Sequence, residues 1–157
     1  MTAALTGIHS RLLLDHAELE GFLERLIAAF RTGDRDAARE AYREVETRLT
    51  AHIAMEEELL FPDFEKTEPG ETHELTLEHA AIRARLEELA IGVDLHATRL
   101  PAIEELAQML RKHGQRENEL LYRWADRVYS DETRRPDFEN FFSRIRAQAG
   151  DSQAVLR

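Results

Sequence analysis

The sequence predicts an all-α protein, an antiparallel up-down-up-down four-helix bundle with a short fifth helix at its C-terminal end. Three observations predict it: four long stretches with apolar residues stepping by three or four, few helix-breaking residues, and an internal repeat of one helical hairpin. Seven Gly and four Pro in 157 residues, with 33% charged residues, favour helix over sheet. That length bounds a single domain, placed at residues 1–148, with 149–157 expected to be a disordered tail.

In the first helix His9, Leu12, His16, Leu19, Leu23, Leu26 and Phe30 share one face; Thr6 is the expected cap and Gly33 the expected stop. The second is expected to start at the Asp34 cap and end near Phe61, where Pro62 interrupts it. Its stripe is Val45, Leu49, His52, Glu56, Leu59 and Leu60. Pro69-Gly70 signals a turn, after which the third helix is predicted from about Thr72 to Ala90 with Leu75, His79, Ile82, Leu86 and Leu89 in line. Residues 91–100 form the next expected connection. Pro101 suits the first position of the fourth helix, whose stripe is Leu106, Leu110, His113, Glu117, Leu120, Leu121 and Trp124. Asp131 is expected to cap a short segment carrying Phe138, Phe141, Phe142 and Ile145.

The repeat sets polar groups on these apolar stripes. His-x-x-x-Glu-x-Glu-Leu-Leu-aromatic occurs from His52 to Phe61 and again from His113 to Tyr122, and His16-Ala-Glu-Leu19 is echoed by His79-Ala-Ala-Ile82. Each hairpin thus supplies one His from its first helix and a His and a Glu from its second. Residues four apart on a helix rise by about 6 Å on one face, so each His-Glu pair can address one point. Four imidazoles and two carboxylates, His16, His52, Glu56, His79, His113 and Glu117, then form a candidate binuclear metal site in which both carboxylates bridge.

A lone His on an apolar face is more often a hydrogen-bonded core residue; the joint pattern, with two Glu that would be costly to bury unpartnered, favours metal. With no Cys in the chain, the ligands must be nitrogen and oxygen, which suits a pair of iron ions; manganese or zinc fits the same frame. Glu57, Glu58, Asn118 and Glu119 fall off the stripes and are expected to be solvated or supporting groups. His9 lies two turns from His16, too far to share an ion, and suits packing or access at the bundle end. His73 and His96 are expected at the surface, and Tyr42, Tyr122 and Trp124 in the core.

A formal net charge of −10 without a Lys or Arg block argues against nucleic-acid binding. No stretch approaches a membrane span, and Met1 to Leu14 lacks signal-peptide features, so a cytoplasmic location with no membrane partner is the expectation. None of the seven His has a Glu three residues before it, which excludes the ferritin-like Glu-x-x-His pattern, and His-Glu-x-x-His is absent.

These residues resemble the hemerythrin-like family of HHE cation-binding domains, whose pattern is a His on helix 1, His-x-x-x-Glu on helix 2, a His on helix 3 and His-x-x-x-Glu or His-x-x-x-x-Asp on helix 4. The match falls on His16 after Asp15, His52 and Glu56, His79 after Glu78, and His113 and Glu117, across about residues 5–128. The resemblance implies a non-haem di-iron centre, oxo- or hydroxo-bridged, with Glu56 and Glu117 as bridging ligands. Oxygen-carrying hemerythrins place a further His four residues earlier on helix 3, where this chain has Leu75. That departure implies an open or water-filled coordination position, and binding of or reaction with oxygen, peroxide or nitric oxide rather than reversible transport. The four-His, two-Glu set is closer to bacterial iron-sulfur-cluster repair proteins, which usually carry a Cys-containing N-terminal segment absent here. Two alternative functions remain at this level: an iron or redox sensor or iron-handling protein using the same site, and a metal-free helical interaction module docking through residues 138–145.

Overall fold

The computed structural model describes residues 7–129; the fifth helix expected near Phe138, the tail 149–157 and Thr6 lie outside the described residues. Four rods carry six α-helical segments: α1 (Ile8–Thr32), α2 (Arg35–Met55), α3 (Phe61–Thr67), α4 (Pro69–Asp94), α5 (Leu100–Glu119) and α6 (Leu121–Val128). α3 continues the rod of α2, and α6 that of α5. α1 packs on α2 and α5, and α4 packs on the same two helices. No helix is long and apolar enough to cross a membrane among the described residues.

Local chemistry sets the ends. Gly33, at φ +74°, closes α1 by donating to the Phe30 carbonyl, a left-handed position that glycine adopts without steric cost. One residue on, the Asp34 carboxylate accepts from the Asp36 and Ala37 amides at 3.1 and 3.0 Å and caps α2 as expected.

Three expectations need correction. Pro62 does not end the second rod: a π-helical stretch, Glu56–Leu60, joins α2 to α3, with the Phe61 amide donating to the Glu56 carbonyl. This shift leaves Pro62 at the second position of a fresh α segment, where its missing N–H costs little. Pro69-Gly70 is the first turn of α4 rather than a turn before it, and α4 runs on to Asp94, shortening the following connection to residues 95–99. Leu120, placed on the buried stripe, is 49% exposed, because the helix breaks there (φ −116°, ψ −67°), while Leu121 on the same stripe and Tyr122 are buried as expected.

The two irregularities occupy equivalent places in the repeat, each within about a turn of the buried Glu of its rod. They also divide the interior. One apolar cluster, including Leu12, Leu60, Phe61, Phe64, Leu75, Leu121 and Trp124, fills one end. A second, including Leu23, Leu26, Tyr42, Val45, Leu86 and Ile103, fills the other. The polar residues of the repeat lie between them.

Candidate metal centre

All six sequence-selected residues converge. His52, Glu56, His79, His113 and Glu117 are buried, and His16 is partly buried. Their donor atoms form two groups, His16 with His52, Glu56 and Glu117, and His79 with His113, Glu56 and Glu117, each with all ligand atoms within 4.8 Å of one another. Both carboxylates belong to both groups. Glu56 Oε1 lies 2.7 Å from His52 Nε2 while its Oε2 lies 3.3 Å from His79 Nε2. Glu117 Oε1 lies 3.1 Å from His113 Nε2 and 3.4 Å from His16 Nε2, and its Oε2 lies 3.6 Å from His79 Nε2.

The outward nitrogens fix how the rings are presented. His52 Nδ1 bonds Asp15, His113 Nδ1 bonds Glu78 at 2.6 Å, His79 Nδ1 bonds Glu57 at 3.0 Å and His16 Nδ1 bonds Asn118 Oδ1 at 2.8 Å. Each oxygen is an acceptor, so each Nδ1 donates and each neutral ring turns the lone pair of Nε2 to the centre. The pattern follows the repeat: the residue before the first-helix His serves its own hairpin, and the residue after the second-helix Glu serves the other. Arg83 grips Glu57 with two bonds of 2.8 Å, and Arg116 binds Glu78 at 2.7 Å and Glu71 at 2.5 and 2.9 Å. Such partners orient metal-binding imidazoles and raise their basicity.

Without a cation this centre is unsatisfied. Nε2 atoms face each other at 3.1 Å in both His pairs, His16 with His52 and His79 with His113. Glu56 Oε2 and both Glu117 oxygens are buried with no hydrogen-bond partner. An uncompensated buried carboxylate costs about several kcal/mol, so native interiors seldom keep one without a cation.

Electrostatics agree. Burial opposes protonation of His52, yet Glu56 and Asp15 drive its pKa well above the ordinary value. His79 is raised to about 9 against burial by Glu117 and Glu56, and His113 is raised against burial by Glu117 and Glu78. Burial likewise opposes ionisation of Glu117, but its close polar neighbours Glu56, His113, His16 and His79 hold it well below the carboxylate range. The cavity therefore demands positive charge at the inward nitrogens, which protons or metal ions can supply.

Tyr122 was expected as core packing, and the structure places its hydroxyl inside the centre, 2.5 Å from Glu56 Oε1, 2.6 Å from His16 Nε2 and 3.1 Å from His52 Nε2. The available signal was the aromatic at the same place in both copies. Phe61 takes the equivalent position beside the other pair, stacked on His79 at 5.1 Å. The other predicted surroundings hold: Tyr42 is buried, donating to the Leu86 carbonyl, and Trp124 is buried. His73 and His96 are exposed, and His9 stays outside both groups, with its backbone amide bonded to Asp126. Leu75 is buried in the apolar cluster next to the centre, where it offers no ligand atom.

A cavity of about 310 Å³ between α1, α2 and α5 reaches the centre, with His16, His52, His113 and Glu117 on its wall and Leu19, Leu23, Leu49 and Leu110 around them.

A helical bundle with two His/Glu groups sharing both carboxylates is the architecture of a cation-binding bundle. The hemerythrin HHE cation-binding domain matches residues 7–125, and the chain belongs to that family. No characterised protein and no solved structure gives a significant match.

Proposed function

We propose that this is a non-haem di-iron protein, built as an antiparallel up-down-up-down bundle, that binds or reacts with a small ligand such as oxygen, peroxide or nitric oxide. Contacts such as Arg31–Glu104, Tyr42–Leu86 and Arg85–Glu105, each joining the end of one rod to the beginning of the next in space, support the antiparallel arrangement. The ligands are His16 and His52 for one ion and His79 and His113 for the other, with Glu56 and Glu117 reaching both.

One observation carries the reading: the two carboxylates with buried, orphaned oxygens are the two shared between the imidazole pairs. Imidazole and carboxylate donors with coordination positions left over suit iron, which supplies one-electron chemistry toward oxygen-containing ligands. The chain holds the imidazoles in one tautomer through Asp15, Asn118, Glu57 and Glu78, and excludes bulk water with the apolar clusters on either side. The apolar cavity admits a small uncharged molecule to the His16, His52 and His113 side. Mixing the reduced, iron-loaded protein with oxygen, nitric oxide and peroxide in turn tests the proposal by stopped-flow absorption. Rapid spectral change with at least one ligand is the expected result, and an unchanged spectrum with all three would refute it.

A further inference from the structure

We propose that the Tyr122 phenolic oxygen is a seventh protein ligand, coordinating the cation of the His16/His52 pair and making the two halves of the centre chemically unequal. The inference rests on the metal-binding reading above and adds a donor to it. Its basis is a count of protons. One phenol O–H points into a group of three acceptors, Glu56 Oε1 at 2.5 Å, His16 Nε2 at 2.6 Å and His52 Nε2 at 3.1 Å. In the neutral form in which imidazole binds metal, both rings give their Nδ1 protons to Asn118 and Asp15, so neither Nε2 has a proton to return. A single O–H can satisfy one of the three contacts. A cation satisfies all of them, because oxygen, nitrogen and carboxylate then all act as donors of electron pairs to one centre, and the phenol proton is released to solvent as metal binds.

The spacing fits. Ligands at about 2.1 Å and right angles around an ion lie about 3 Å apart. The distances joining these four atoms, with His16 to His52 at 3.1 Å and His52 to Glu56 at 2.7 Å, cluster around that edge length. Burial fixes the phenol there: Tyr122 is fully buried, its ring 4.7 Å from that of His16. At the other pair the corresponding aromatic is Phe61, which has no oxygen to offer, so the His79/His113 ion keeps one protein donor fewer. A phenolate is a hard anionic donor and favours the ferric state of the ion it binds.

The test is resonance Raman spectroscopy of protein stripped of metal, reloaded with ferrous iron and oxidised in air, with iron content measured on the same sample. Wild type should hold about two irons per chain and show tyrosine ring modes enhanced within a visible phenolate-to-iron band. Tyr122→Phe should keep the iron and lose both band and modes. Wild-type protein grown on ring-deuterated tyrosine should shift the modes, which tests ligation without any variant. Tyr42 and Tyr129 bond elsewhere, to Leu86 and to Asp63 and Leu59, so Tyr122 is the source the geometry assigns. Iron-loaded wild type without tyrosine modes, or modes that persist in Tyr122→Phe, would overturn tyrosine ligation and leave the His/Glu centre standing. Failure to load iron would overturn the centre and this ligand with it.

Discussion

The His16/His52 pair and the His79/His113 pair derive from the same repeated hairpin, yet they sit in different surroundings. Both present two Nε2 atoms 3.1 Å apart to the same two carboxylates. Around the first pair stand one carboxylate, Asp15, a neutral amide, Asn118, and a phenol, Tyr122; around the second stand two carboxylates, Glu57 and Glu78, both backed by arginines, and the hydrocarbon ring of Phe61. The repeat preserves what holds metal and varies what tunes it. Two ions bound there would differ in ligand basicity and polarity despite nearly equal nitrogen and carboxylate donors.

The largest expected effects come from what the halves share. Glu117→Ala should lose both ions, whereas His16→Ala should retain roughly one, in the His79/His113 half; metal content by mass spectrometry separates the two outcomes. Stripping metal from wild type with a chelator should lower the melting temperature by roughly 10–30 °C, since each tight site adds about 3–4 kcal/mol at saturating metal. Equal melting temperatures would also remove a sensor that switches on losing metal.

A smaller effect should distinguish the halves. Glu57→Ala, which removes a charged partner of His79, should weaken metal binding about 10–100-fold, and Asn118→Ala, which removes a neutral partner of His16, by less. Competition with a chromogenic chelator measures both, and equal losses would erase the asymmetry. The smallest effect lies furthest out, at Glu71. Arg116 holds the Glu71 carboxyl below its ordinary value against a lesser desolvation effect. A depressed carboxylate pKa contributes stability above the ordinary range of about 4.3, and that contribution disappears as pH falls through the lowered value. Glu71→Gln should therefore cost about 0.5 kcal/mol near neutral pH and progressively less in acid, as read from denaturant midpoints.

Much of this was legible in the sequence because helical periodicity and the repeat are both local. The stripes through Leu23 and Leu26, and through Leu75, His79 and Ile82, turn inward where the 3.6-residue period places them. Gly33 and Asp34 mark a boundary by their own backbone and side-chain chemistry. The misses collect at Glu56–Leu60 and at Leu120, where the helix departs from that period. In a regular α-helix a residue five beyond Glu117 lies about 140° around the axis from it. An aromatic residue at helical spacing is more often core packing, which is all the sequence assigns to Tyr122, whereas the break at Leu120 rotates it into the centre. The π stretch likewise carries the rod through Pro62. Such a break depends on contacts between rods, which periodicity along one rod does not record.

The most direct measurement is anomalous diffraction at the iron edge from crystals of iron-loaded protein. Two peaks are predicted, one between His16 and His52 and one between His79 and His113, with Glu56 and Glu117 bonded to both. A single peak, peaks elsewhere on the bundle, or none would contradict a shared-carboxylate pair of ions.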